Sequence, residues 1–163
     1  MKKIKAVKIN HEDFAAFGQF YDMANPNGYP LCGELHKFYP DRITADSEHR
    51  LGLSPLVVRK PEKMVITQQE YHTNSWEIIL PLDDDMIIHV APASGGEPVT
   101  DYVKAFIVPK NTMVKLNAAI WHLAPLPVHN DKITTLIILP ERTYANDCIV
   151  VDLKEDEQFE IEL

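Results

Sequence analysis

Glu70-Tyr71-His72-Thr73-Asn74-Ser75-Trp76-Glu77-Ile78-Ile79-Leu80-Pro81-Leu82-Asp83-Asp84-Asp85-Met86-Ile87-Ile88-His89-Val90 sets two short apolar runs on either side of an acidic turn. Both runs, Glu77 to Leu80 and Met86 to Val90, are rich in isoleucine and bounded by Pro or Asp, which predicts strands rather than helices. Asp83-Asp84-Asp85 reads as a hairpin connection with a solvated tip. Further along, Pro109-Lys110-Asn111 and Trp121-His122 form a second segment with a turn and a histidine. In a small antiparallel β-barrel, inward-facing His and Glu side chains from such separate strands converge on a metal or a small polar substrate.

The strand signal recurs outward from this stretch. Leu56-Val57-Val58, Met64-Val65-Ile66-Thr67, Val103-Lys104-Ala105-Phe106-Ile107-Val108 and Thr134-Thr135-Leu136-Ile137-Ile138-Leu139 are β-branched runs with Pro, Asp or Gly nearby. Twelve prolines against six glycines leave little room for long helices, because proline lacks the N–H that a helix interior needs. One helix is predicted over residues 11–17, with Gly18 as its C-cap. Asn25-Pro26-Asn27-Gly28 and Tyr39-Pro40-Asp41 read as turns, and Ser94-Gly95-Gly96-Glu97 as a loop tip. No repeat or linker divides the chain. The expected architecture is mainly β, a single domain over residues 1–163, built as an antiparallel β-barrel with a short N-terminal helix.

The chain has 163 residues and a net charge of -8. A domain of this size buries about two-thirds of its unfolded surface and needs no covalent staple. Cys32 and Cys148 lack metal or redox spacing, so a reduced, cytoplasmic protein is expected. No apolar run has signal-peptide or membrane-spanning length, which excludes a membrane partner at this level. Lysines and arginines do not cluster beyond the first few residues, which argues against a nucleic-acid surface. A phosphate-cradling glycine loop and a nucleophile elbow are also absent.

Glu70-x-His72 followed by Glu77 resembles the first motif of the cupin superfamily, where His-x-His precedes a Glu. Pro109-x-Asn111 resembles the second, since Asn tolerates the positive φ that Gly supplies there, although His122 comes late. The likeness is sharper for one family. Asp13-Phe14-Ala15-Ala16-Phe17-Gly18, the segment from Thr67 to Leu82, Trp121-His122 and Ala145-Asn146-Asp147-Cys148 look like the ureidoglycolate lyase family of cupins, in the same order over most of the chain. That resemblance implies a cupin-type barrel, generally a homodimer, that releases urea and glyoxylate from ureidoglycolate. Two departures bear on the pocket. The family commonly has Gln where this chain has Glu77, and a second His where it has Leu123.

Breakdown of a carbinolamide such as ureidoglycolate requires removal of the hydroxyl proton while the urea nitrogen leaves. Imidazole and carboxylate ligands suit a divalent Ni, Mn, Fe or Zn ion that would lower the hydroxyl pKa. The expected catalytic residues are Glu70, His72, Glu77 and His122. His72, Glu77 and His122 are the expected metal ligands, with Glu70 joining the set or moving the proton. His89, Lys104 and Trp121 are expected to contact a small-molecule substrate, and Arg59 and Arg142 are open to the same reading as Lys104. Each has an alternative: His89 and His122 as core histidines satisfied by a backbone group, Glu70 and Lys104 as exposed strand residues. Two rival functions stand beside the lyase: a cupin isomerase or sugar-binding protein, and a binding module without catalysis.

Overall fold

A computed structural model describes residues 1–163. Fifteen strands carry the fold: β1 (Lys2–Lys8), β2 (Gly18–Asp22), β3 (Leu31–Cys32), β4 (Lys37–Phe38), β5 (Leu51–Arg59), β6 (Val65–Ile66), β7 (Gln68–Tyr71), β8 (Glu77–Pro81), β9 (Met86–Val90), β10 (Lys104–Val108), β11 (Thr112–Leu116), β12 (Leu126–Pro127), β13 (Lys132–Pro140), β14 (Ile149–Asp152) and β15 (Phe159–Glu162). Helices are confined to α1 (His11–Phe14), α2 (Thr143–Asn146) and a 3-10 turn at Thr100–Tyr102.

The strands form a six-stranded sheet in the order β12-β9-β10-β1-β15-β6 and a five-stranded sheet in the order β2-β11-β8-β13-β5. Pairing is antiparallel except at β1, which runs parallel to both β10 and β15. One apolar cluster fills the space between the sheets, with Ile79, Val114, Leu116, Ile133 and Ile137 meeting Met86, Ile88, Val90, Phe106 and Val108. A second packs on the opposite face of the six-stranded sheet, around Ile87, Ala105, Trp121, Phe159 and Ile161. β9 is therefore covered on both faces, which is why apolar residues occupy both, Met86, Ile88 and Val90 on one and Ile87 on the other, with His89 the one polar residue. β13, with one covered face, alternates Ile133, Thr135 and Ile137 inward.

The predicted strands are present, but the acidic turn plays a different part. β8 and β9 belong to different sheets, so Asp83-Asp84-Asp85 crosses between layers and is not a hairpin tip. Each carboxylate caps separate backbone: Asp83 accepts from Thr134 N–H at 2.7 Å, Asp84 from His129 and Asn130 N–H at 2.9 Å, and Asp85 from Lys110 N–H at 2.8 Å. These charge-assisted bonds hold like charges together and explain why Asp84 is buried. Asn111 takes a φ of 64°, as a glycine substitute in that turn must.

The N-terminal helix is shorter than predicted. Asn10 caps it by accepting from Asp13 N–H at 2.9 Å, and Phe14 is buried edge-on to Phe106. Gly18 is not a left-handed C-cap but the first residue of β2. A Cβ there would lie 1.8 Å from the Lys115 carbonyl oxygen, so glycine is required by the close approach of β2 to β11.

Candidate functional site

Three local rules of strand geometry bring the site together. Glu70 and His122 exchange backbone hydrogen bonds, Glu70 N–H to His122 O at 2.7 Å and His122 N–H to Glu70 O at 2.8 Å, so their side chains stand side by side on one face. His72 lies two residues beyond Glu70 and shares that face. Glu77 opens β8 on the same face as the core residue Ile79 and closes the group from the opposite layer. Trp121 and His122, adjacent in an extended segment, point in opposite directions, the indole into the second apolar cluster and the imidazole toward Glu77.

The two imidazoles are oriented by backbone carbonyls. His72 Nδ1 lies 2.8 Å from Asp147 O, and His122 Nδ1 lies 2.8 Å from Ile120 O. A carbonyl only accepts, so both Nδ1 atoms carry protons and both Nε2 atoms face inward. There, one carboxylate oxygen, Glu77 Oε2, lies 3.1 Å from His72 Nε2 and 2.9 Å from His122 Nε2. In the neutral tautomer these Nε2 atoms would present lone pairs to an anion. The arrangement needs either imidazolium donors or a cation among the donor atoms. Burial alone would push the Glu77 carboxyl up, but hydrogen bonds and charge from His122 and His72 bring it down to about 2. Burial likewise opposes a charged His122, yet Glu77 raises its pKa above the ordinary value, with a smaller contribution from Glu70.

One donor atom each from Glu70, His72 and His122 falls within 4.8 Å of the others, close enough to hold one metal ion. Nδ1 held by carbonyl and Nε2 turned inward is the orientation that fixes a ligating histidine. Glu70 Oε2 accepts from the Cys148 thiol at 3.4 Å. Burial and the neighbouring carboxylates push that thiol up to about 11, which keeps it protonated and removes it as a nucleophile. A cavity of about 290 Å³ has Glu70, His72 and Glu77 in its floor, Leu56, Ile137 and Leu139 in its walls, and Arg142, Tyr144 and Cys148 around it. Larger hollows of about 510 and 660 Å³ contain none of the four His and Glu side chains.

The structure does not bring the three expected substrate contacts to this cavity. Lys104 faces outward from β10 and donates to the Asp13 carboxylate at 2.8 Å. Trp121 is fully buried, packed against Tyr71 with ring centroids 4.3 Å apart and planes inclined by 48°, and its Nε1 donates to Ser94 Oγ. His89 shares a face with Ile87, as alternation predicts, but that face packs on Phe159. Its Nε2 has no hydrogen-bond partner, and burial, with a lesser contribution from His122, pushes its pKa down to about 3, so it is neutral.

Asp147 is the residue whose part could not be read from local pattern. Its carboxylate accepts from Thr73 N–H at 2.8 Å, Asn74 N–H at 2.9 Å and Ser75 Oγ at 2.8 Å, while its carbonyl orients His72. One side chain thus fixes the loop between His72 and Glu77. Burial would raise its pKa, but those hydrogen bonds pull it below the ordinary carboxylate value. The only sequence signal was its place in Ala145-Asn146-Asp147-Cys148.

Comparison with known proteins agrees with this architecture. The model of a family described as a domain of unknown function (DUF4867) matches residues 60–161. A protein of Mesorhizobium japonicum (strain LMG 29417 / CECT 9101 / MAFF 303099) named ureidoglycolate lyase is 28% identical over 136 residues, 77% of this chain and 80% of that protein. A dTDP sugar isomerase from Desulfovibrio desulfuricans G20 superposes with a TM-score of 0.50 at 7% identity, covering 79% of this chain and 83% of the other. The Bacillus subtilis oxalate decarboxylase gives a TM-score of 0.45 at 16% identity over 64% of this chain, which spans only 24% of that longer protein. From the match over residues 60–161 and the two curled sheets around a buried His and Glu group, the chain belongs to the DUF4867 family and has a cupin-type β-barrel fold.

Proposed function

We propose that this protein is a metal-dependent lyase acting on ureidoglycolate or a closely related small ureido or hydroxy acid, working as a cytoplasmic homodimer of single-domain chains. The observation that carries the reading is the pair of inward-facing Nε2 atoms meeting two carboxylates at the floor of a small cavity. The relative named ureidoglycolate lyase supports the substrate class. A cavity of about 290 Å³ suits a small acid and is cramped for a nucleotide sugar, which disfavours the isomerase alternative.

His72, His122 and Glu77 would hold the ion, since both Nε2 atoms face Glu77 Oε2, and Glu70 stands within reach of the two imidazoles. When bound, a divalent ion supplies Lewis acidity that lowers the pKa of the substrate hydroxyl. Glu77 Oε2, facing both Nε2 atoms, would share the ion with them and so is not free to move a proton. Glu70 is the more accessible carboxylate, its side chain 23% exposed against 9% for Glu77, and its Oε2 is steadied by the Cys148 thiol. Glu70 therefore takes the hydroxyl proton and returns it to the departing urea nitrogen as the C–N bond breaks. The proton moves from oxygen to nitrogen, and no co-reactant is consumed. The apolar walls limit water around the reacting carbon.

The test is glyoxylate release from racemic ureidoglycolate by the purified protein, with and without manganese or nickel. Release that requires metal and disappears in His122→Ala is the expected result. Absence of release with every metal tried would refute the lyase reading.

A further inference from the structure

We propose that Arg142 is the residue that recognises the anionic end of the substrate, which makes the ligand of this cavity a small monocarboxylate; this rests on the reading above. Arg142 is the only arginine or lysine among the thirteen residues around the cavity that holds Glu70, His72 and Glu77. Two carboxylates beside the cavity and a net charge of -8 on the chain oppose an anion, so a cation at the cavity's edge favours a carboxylate ligand. Lys104, the other cation expected to serve, is on the outer surface with Asp13.

The backbone holds Arg142 in an unusual state for that position. Its φ is 65° and ψ 22°, the left-handed region that arginine rarely adopts, and its side chain makes no capping bond to α2. Ala145 N–H and Asn146 N–H both donate to Arg142 O, at 2.9 and 3.0 Å, and the Thr143 hydroxyl donates to Pro140 O at 2.8 Å, so the turn enforces the conformation. The guanidinium itself is uncommitted. Its nearest carboxylate is Glu141 at 3.9 Å, beyond hydrogen-bond range, and the side chain is 70% exposed. A planar fork free at the rim of a cavity is suited to bidentate capture of a carboxylate.

The experiment compares oxamate, which carries one carboxylate, with its neutral amide analogue oxamide. Binding of each to the full chain is measured by calorimetry, with manganese and without, for the wild type, Arg142→Gln and Arg142→Lys. Metal content and unfolding midpoint are measured on the same samples. The expected result is a preference for oxamate that falls about tenfold or more in Arg142→Gln and is partly restored in Arg142→Lys, with oxamide binding unchanged. Oxamate affinity within about twofold of wild type in Arg142→Gln would overturn the proposal, as would an equal loss for both probes or no binding of either to the wild type. Glyoxylate release is scored separately: an Arg142-dependent oxamate preference without release would retire the lyase and leave the anion recognition in place.

Discussion

Glu77→Gln removes the charge that both imidazoles face, and the structure sets how much stability leaves with it and over which pH range. The perturbation is nearly isosteric, so packing against Leu116 and Ile79 is preserved while the anion disappears. In the metal-free protein the Glu77 carboxyl falls from 4.5 to about 2, which corresponds to roughly 3 kcal/mol at about 1.4 kcal/mol per tenfold change in proton affinity. The raised pKa of His122 is the same interaction seen from the other partner, so the two are not added. A depressed carboxylate stabilises fully above 4.5 and loses that contribution as the pH falls toward 2. A raised imidazole stabilises fully below 6.5 and loses its contribution as the pH rises through the folded value. Both conditions hold between 4.5 and 6.5.

The expected deficit of Glu77→Gln is therefore about 2–3 kcal/mol near pH 5.5, a fall in unfolding midpoint of roughly 5–10 °C for a chain of this length. At alkaline pH the wild type keeps a buried anion without its imidazolium, so the variant should equal or overtake it. The assay is urea and thermal unfolding followed by circular dichroism, in a chelator, from pH 4.5 to 10. A deficit of the same size at every pH would refute the reasoning, because lost packing has no titration window.

Three further outcomes follow from the same geometry. Manganese or nickel at about a hundredfold excess over its dissociation constant should stabilise the wild type by roughly 2.7 kcal/mol, and a chelator should remove that gain; in His122→Ala the thermal shift should be absent, and a full shift would exclude His122 as a ligand. Asp147→Ala deprives Thr73, Asn74 and Ser75 of their acceptor and should cost about 2–4 kcal/mol, with faster amide exchange confined to residues 73–76; unchanged exchange there would show that the loop is held by other contacts. Gly18→Ala forces a methyl into the Lys115 carbonyl and should cost roughly 2–4 kcal/mol, whereas a loss below about 0.5 kcal/mol would show that β2 moves freely away from β11.

The strands were legible where a run carried its own evidence. Ile78, Ile79 and Leu80, or Met86 to Val90, are apolar, β-branched and closed by Pro or Asp, and that information is local. Two-residue strands such as β3, β4 and β12 carry too little pattern to be read. β1 hides its buried Ile4 and Ala6 among four lysines. The acidic turn was misread because Asp83, Asp84 and Asp85 look alike in sequence, whereas their different backbone donors lie in segments that only the fold brings near. Lys104 and Trp121 lie away from the cavity for a related reason: the two faces of an extended segment are equivalent until its neighbours are known.

The sequence by itself determined the mainly β character, the absence of long helices and the four His and Glu residues that meet, since residue type, β propensity and proline spacing act over a few residues. Tertiary structure decided which way those residues point. The backbone pair between Glu70 and His122 sets them side by side, the carbonyls of Ile120 and Asp147 turn both Nε2 atoms inward, and Asp147 reaches back across the chain to fix the loop before Glu77. Side-chain direction in a strand reverses with a one-residue change of register, and register is fixed only by pairing and burial between distant segments.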